Sequence, residues 1–214
     1  MANKLPEDLS RQVEAALEED IGSGDITASL IPEDRQATAH VLCRDEATIC
    51  GQPWFNACFK NFDADVQIDW KVEEGARVAS DTVLCTLSGN ARSLLTVERT
   101  ALNFLQTLSA VATATQQYVA VLGDRKTRIL DTRKTLPGLR TAEKYAVACG
   151  GGQNHRIGLF DAMLIKENHI LSAGSITKAV RSGRTQYPDK SIEVETENLQ
   201  ELREALEAGA DIIM

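Results

Sequence analysis

The sequence predicts an α/β protein in which a helix-and-strand N-terminal region leads into repeated parallel βα units. Three observations carry that reading. After Gly123, short apolar runs alternate with helical stretches at the spacing of right-handed βαβ crossovers. Val66, Ile68, Trp70 and Val72 alternate with polar neighbours, the period of a half-buried strand. Between these regions, Leu95, Leu102, Leu105, Leu108 and Ala112 mark the apolar face of a helix from about Leu95 to Leu122. The expected domains are residues 1–110 and 111–214.

Taken in order, Leu9, Val13, Leu17 and Ile21 repeat every fourth position and predict an amphipathic helix over the first ~20 residues, ended by Gly22-Ser23-Gly24-Asp25. Strands are expected from Ala37 to Leu87. Val72 to Val78 forms a turn between two short β segments, and Val83 to Leu87 follows. This stretch resembles the hammerhead hairpins of biotinyl and lipoyl carrier domains, but it has no Met-Lys-Met-like apex to present a modifiable lysine. Strands near Thr127–Asp131, Ala162–Ile165 and Ser191–Glu195 each precede a helix, at Thr141–Cys149, Ile176–Thr185 and Leu199–Ala208. A fourth strand starts at Asp211. A complete eightfold α/β barrel takes about 250 residues, so only an incomplete one fits after residue 111. Gly209 to Met214 stops inside an apolar strand whose edge native proteins normally cover. The sequence therefore reads as the front part of a longer protein, and a chain that ended there is expected not to turn over.

Composition narrows the function classes. The 214 residues are 43% hydrophobic and 25% charged, ordinary globular values. No run approaches about 18 apolar residues, so no membrane span is expected. The N-terminus turns acidic at Glu7-Asp8 without an apolar signal core, and the expected compartment is the cytoplasm. A net charge of −8 argues against nucleic acid as a partner. The five cysteines are odd in number and contain no C-x-x-C pair, so a disulfide scaffold or zinc knuckle is not expected; they read as free thiols, mostly buried, in a reducing compartment. The charge is unevenly spread. Arg125 to His169 holds nine basic and four acidic residues, leaving the remainder at −13. His155 and His169 fall in the same segment.

Functional groups in α/β barrels gather where strands end, because the βα loops form the open mouth. The first predicted strand runs into Asp131-Thr132-Arg133-Lys134-Thr135, the second into Lys166-Glu167-Asn168-His169, and the third ends at Glu195. Gly150-Gly151-Gly152 introduces Asn154-His155-Arg156, and its glycines would let backbone approach a ligand. Each member alone has an ordinary explanation: loop charges for Arg133 and Lys134, a structural histidine for His155, a surface partner for Glu195. Together they form a basic mouth suited to a small polyanion, which arginine grips bidentately. Neither a P-loop nor a Rossmann dinucleotide motif is encoded.

The runs Glu98 to Asn103, Asp131 to Arg140, Glu143 to Val147, Gly150 to Gly152, Asn154 to Leu159 and Leu164 to His169, with Glu19 to Thr27, closely resemble the quinolinate phosphoribosyltransferase family, in order and across essentially the whole chain. The resemblance implies an N-terminal α/β sandwich followed by a seven-stranded open α/β barrel. It also implies phosphoribosyl transfer from phosphoribosyl pyrophosphate to quinolinate, with magnesium, releasing pyrophosphate and carbon dioxide to give nicotinate mononucleotide in NAD biosynthesis. Subunits of the family pair head to tail, so a homodimer with shared sites is implied. Carried over by motif, Arg99 reaches the partner's site, and Arg133, His155, Arg156 and Lys166 hold the quinolinate carboxylates. Thr132 lies among the substrate-binding positions, Lys134 faces the donor phosphates, and Glu195 serves the ribose hydroxyls and the metal. Catalysis falls to Lys134 and Glu195, with the Mg held mainly by substrate. A paralogue acting on another anionic acceptor and a non-catalytic binding module remain alternatives.

Overall fold

The computed structural model describes residues 4–214. The chain divides into two compact units, one up to His155 and one from Arg156 onward. It is a mixed α/β protein, with a sheet-containing N-terminal region and parallel strands near its C-terminus. Among the described residues no helix is long and apolar enough to cross a membrane.

In the first unit, helix α1 (Leu9–Ile21) buries Val13 and Leu17. Strand β1 (Gln36–Cys43) pairs antiparallel with β5 (Thr82–Asn90), and β5 pairs with β3 (Gln67–Trp70), giving the order β1-β5-β3. A two-stranded ribbon joins β2 (Ala47–Thr48) to β4 (Arg77–Val78). The expected run of strands from Ala37 to Leu87 is interrupted: Gln52–Phe62 forms a helix, α2, with Pro53 in its first turn. Its aromatics suggest β structure by propensity, but Trp54, Phe55, Cys58 and Phe59 fall on one helical face and are buried.

Helix α3 (Ala91–Leu122) is 32 residues, about 48 Å at 1.5 Å per residue. Asn90 caps it by accepting from Arg92 and Ser93 N–H. Its buried face runs through Leu94, Val97, Ala101, Leu105, Leu108 and Ala112. Leu95, expected on that face, is instead 55% exposed, because it sits one residue beyond the buried stripe. Helix α4 (Arg140–Cys149) packs beside α3. Buried Gln12 links α1 to this region: its Oε1 accepts from Trp54 Nε1 at 2.8 Å, and its amide nitrogen contacts Thr141 Oγ1 at 2.7 Å and the Gly138 carbonyl at 3.2 Å.

The glycine triplet is explained by packing. A Cβ at Gly150 would stand 2.4 Å from the Ala112 carbonyl of α3, and one at Gly152 would stand 2.7 Å from Val147 Cγ1. Gly151 has φ +86, the left-handed region. The close approach is thus between loop and helix.

The strand expected at Thr127–Asp131 is reduced to one parallel bridge, Leu130 to Gln153. Beyond it the backbone is held by side chains. Asp131 forms a buried ion pair with Lys144 of α4, their side chains 7% and 3% exposed. Asp131 Oδ1 also accepts from His155 N–H at 2.8 Å, and Lys144 Nζ donates to the His155 carbonyl at 2.9 Å. The Asn154 amide nitrogen, oriented by this network, donates to Asp131 Oδ2 and the Lys144 carbonyl at 2.8 Å each. Two segments far apart in sequence therefore share one carboxylate.

In the second unit, β6 (Met163–Ile165), β7 (Ile192–Val194) and β8 (Ile212–Ile213) form a parallel sheet in that order. Helices α5 (Glu167–Ala173), α6 (Ile176–Gln186) and α7 (Leu199–Ala208) accompany it. Ile165, Ile176, Val180, Ile192, Val194 and Ala205 form its core. Helix α5 was not expected; Lys166-Glu167-Asn168-His169 is its start and not an open loop. Arg184 and the Ile192 N–H hold the Asp211 carboxyl below its ordinary range, fixing β7 against α6.

Three variants test this packing. Gly150→Ala should lower stability by about 2–3 kcal/mol in urea unfolding, the cost of an overpacked site. Lys144→Met leaves Asp131 buried and uncompensated and should cost about 3–5 kcal/mol. The double variant Asp131→Leu/Lys144→Met should not recover that loss, because the His155 N–H and Asn154 amide lose their acceptor.

Candidate active site

In the first unit lie the expected site residues Thr132, Arg133, Lys134 and His155. Asp131 fixes the backbone at both ends of this group, immediately before Thr132 and at His155. The loop after it is tied to α4. Thr132 Oγ1 accepts from Lys134 N–H at 3.0 Å, Arg140 Nε donates to Thr135 Oγ1 at 3.2 Å, and Glu143 accepts from Leu136 N–H. Thr132 and Lys134 are exposed, while Arg133 and His155 are half-buried. Arg133 Nε is shielded from solvent and meets no acceptor among the described residues. A buried, unmatched donor of this kind costs about 1–3 kcal/mol, and the cost is removed when a ligand supplies a lone pair.

In the second unit lie Arg156, Lys166 and Glu195. Arg156 donates to the Ala162 carbonyl at 3.3 Å, which lays its side chain along the approach to β6. The β6–β7 register pairs Ile165 with Val194, and the Glu195 N–H donates to the Ile165 carbonyl at 2.9 Å. Parallel strands lie about 4.8 Å apart, so the next residues, Lys166 and Glu195, emerge side by side. Lys166 Nζ reaches Glu195 Oε2 at 2.8 Å, with both side chains about half exposed. Lys166 and Glu195 line a cavity of about 380 Å³ with Glu167, Asn168, Glu197 and Glu201. The start of α5 is fixed by His169, whose Nδ1 accepts from the Lys166 N–H at 2.9 Å.

The two ion pairs differ in kind. An exposed pair such as Lys166–Glu195 is worth about 0–1 kcal/mol and exchanges partners readily. The buried Lys144–Asp131 pair does not, and it belongs to the scaffold. Lys144, counted in the basic segment, is thus neutralised internally. Arg99 projects from α3 and is exposed. Asp131, Lys144, Asn154 and Arg140 carry positioning roles that the sequence reading did not assign. Each stood within a recognised run, but only the three-dimensional pairing distinguishes a buried lysine from an exposed one.

The quinolinate phosphoribosyl transferase C-terminal domain matches residues 111–214, and the N-terminal domain of the same family matches residues 25–109. A probable nicotinate-nucleotide pyrophosphorylase (carboxylating) of Synechocystis sp. is 45% identical over 199 residues, 92% of this chain and 68% of the relative. One from Bacillus subtilis is 43% identical over 197 residues, with the same shares. The solved structure of the nicotinate-nucleotide pyrophosphorylase from Francisella tularensis is 50% identical with a TM-score of 0.95, covering 100% of this chain and 76% of that one. With both domain matches in order and this degree of identity, the chain belongs to the quinolinate phosphoribosyltransferase family.

Proposed function

We propose that the protein joins quinolinate to phosphoribosyl pyrophosphate with loss of carbon dioxide, giving nicotinate mononucleotide and pyrophosphate in the cytoplasm. The observation that carries this reading is Arg133, whose shielded Nε has no acceptor and calls for an anionic ligand. Quinolinate is a dianion, so one guanidinium does not suffice. Arg156, His155 and Lys166 are the further groups for its two carboxylates, and Lys134, exposed beside Thr132, is the group for the donor's phosphates.

The chemistry follows from charge. As pyrophosphate leaves, positive charge develops at the ribose C1, and Glu195 stabilises it electrostatically. Glu195 is held by Lys166. A substrate carboxylate that takes over Lys166 releases Glu195 for the sugar, at the small cost of an exposed pair. The pyridine nitrogen attacks C1 and becomes cationic; the ring then accepts the electron pair left when the adjacent carboxylate departs as carbon dioxide. Positioning of the two substrates supplies much of the remaining acceleration. Glu195 and Glu197 line the cavity, and their carboxylates are a donor set that fits magnesium held mainly through substrate oxygens. Magnesium, when bound, neutralises the charge of the leaving pyrophosphate.

A homodimer completes the proposal. Arg99 lies one turn from Leu95 and Leu102, which line an apolar cavity of about 450 Å³ with Val41 and Leu42. An apolar concavity beside an exposed cation suits a partner subunit, to whose site Arg99 is delivered.

Pyrophosphate release with quinolinate, and none with nicotinate, is the expected assay result; release with nicotinate alone overturns the dicarboxylate reading. Calorimetric binding of quinolinate without donor reads the acceptor half separately. Arg133→Ala should weaken that binding about 10- to 100-fold, the worth of a charge-assisted hydrogen bond, without lowering the unfolding midpoint.

A further inference from the structure

A second cluster of reactive side chains lies wholly within the first unit. Cys50, Glu74 and Cys149 bring their two sulfurs and a carboxylate oxygen to within 4.8 Å of one another. No step of the proposed reaction uses them. Cys50 is fully buried, and Cys149 and Glu74 are half-buried.

The three residues come from three elements. Cys50 stands just before α2, and Cys149 is the last residue of α4. Glu74 occupies the turn between β3 and β4. We propose that Cys50, Cys149 and Glu74 form a binding site for a thiophilic divalent cation of the zinc class.

The surroundings already have the form of a metal site's outer shell. Glu74 Oε1 accepts from Gly51 N–H at 2.8 Å and Oε2 from Gln52 N–H at 3.1 Å, which orients the carboxylate while leaving lone pairs on both oxygens. The Cys50 backbone is held by Ser109, whose hydroxyl accepts from its N–H at 3.0 Å and lies 3.1 Å from its carbonyl. The Tyr145 ring packs edge-on against Trp54 and lies beside the cluster. Donor atoms around tetrahedral zinc stand about 3.7 Å apart, so closure from 4.8 Å needs about 1 Å of side-chain movement.

Charge favours the cation. No lysine or arginine forms an ion pair with Glu74 among the described residues, and α2's first N–H groups carry the compensation. On binding, two S–H bonds break, two metal–sulfur bonds form and two protons pass to solvent. The site keeps a net charge of −1 throughout, so no new charge is buried. A cation here would staple the end of α4 to the start of α2, immediately before the glycine triplet that leads to His155. That makes it a structural site.

Cadmium and zinc are the probes. Under a phosphine reductant, one equivalent of cadmium should give a thiolate-to-metal absorption band and release two protons per chain. Zinc should displace the band, raise the unfolding temperature and protect Cys149 from alkylation. Cys149→Ser should abolish the band, and Glu74→Gln should weaken binding while leaving it. No band at equimolar cadmium overturns the site, as does a band that survives in both Cys149→Ser and Cys50→Ser. The thermal and alkylation measurements need no variant and are decisive alone: a wild-type chain in which zinc changes neither refutes the proposal.

Discussion

A single buried carboxylate organises the backbone around Thr132 and His155 in the first unit. Asp131 meets Lys144, the His155 N–H and the Asn154 amide at once, and none of these contacts is interchangeable with water at that depth. In a medium of low polarity an ion pair is stable only when its remaining hydrogen-bonding capacity is filled, and here the backbone on both sides fills it. The short strand before Asp131 contributes one bridge. Electrostatics supplies the precision that a longer β ladder would otherwise give, and Arg133 and Lys134 inherit a fixed starting point.

The second unit solves the same problem with hydrogen-bonded register. Parallel pairing of β6 and β7 places Lys166 beside Glu195 by geometry alone, before any side-chain attraction acts. The resulting pair joins two half-exposed side chains and is weak.

Much of this was legible in the residues. The four-residue repeat of α1, the βα alternation that predicted α6 and α7, and the alternation through Ile68 and Trp70 gave elements close to those observed. Arg133, Lys134, His155, Arg156, Lys166 and Glu195 could be singled out because strand-end positions carry recognisable runs. What misled was local ambiguity. Trp54, Phe55 and Phe59 favour strands by propensity, yet their spacing buries them as one helical stripe. The glycine triplet suggested a ligand cradle, but its missing side chains make room for α3. Neither the burial of Lys144 nor the meeting of Cys50 with Cys149, ninety-nine positions apart, leaves a local signature, since both arise only from tertiary pairing.

The bond from the Lys166 amide to His169 Nδ1 has an implication of its own. A ring nitrogen that accepts there cannot carry hydrogen, so the neutral imidazole must place its single proton on Nε2. The outer edge of His169 is consequently a donor in this arrangement. Whatever approaches that edge must bring an oxygen or nitrogen with electrons to share, a selection by polarity imposed from the main chain two bonds behind it.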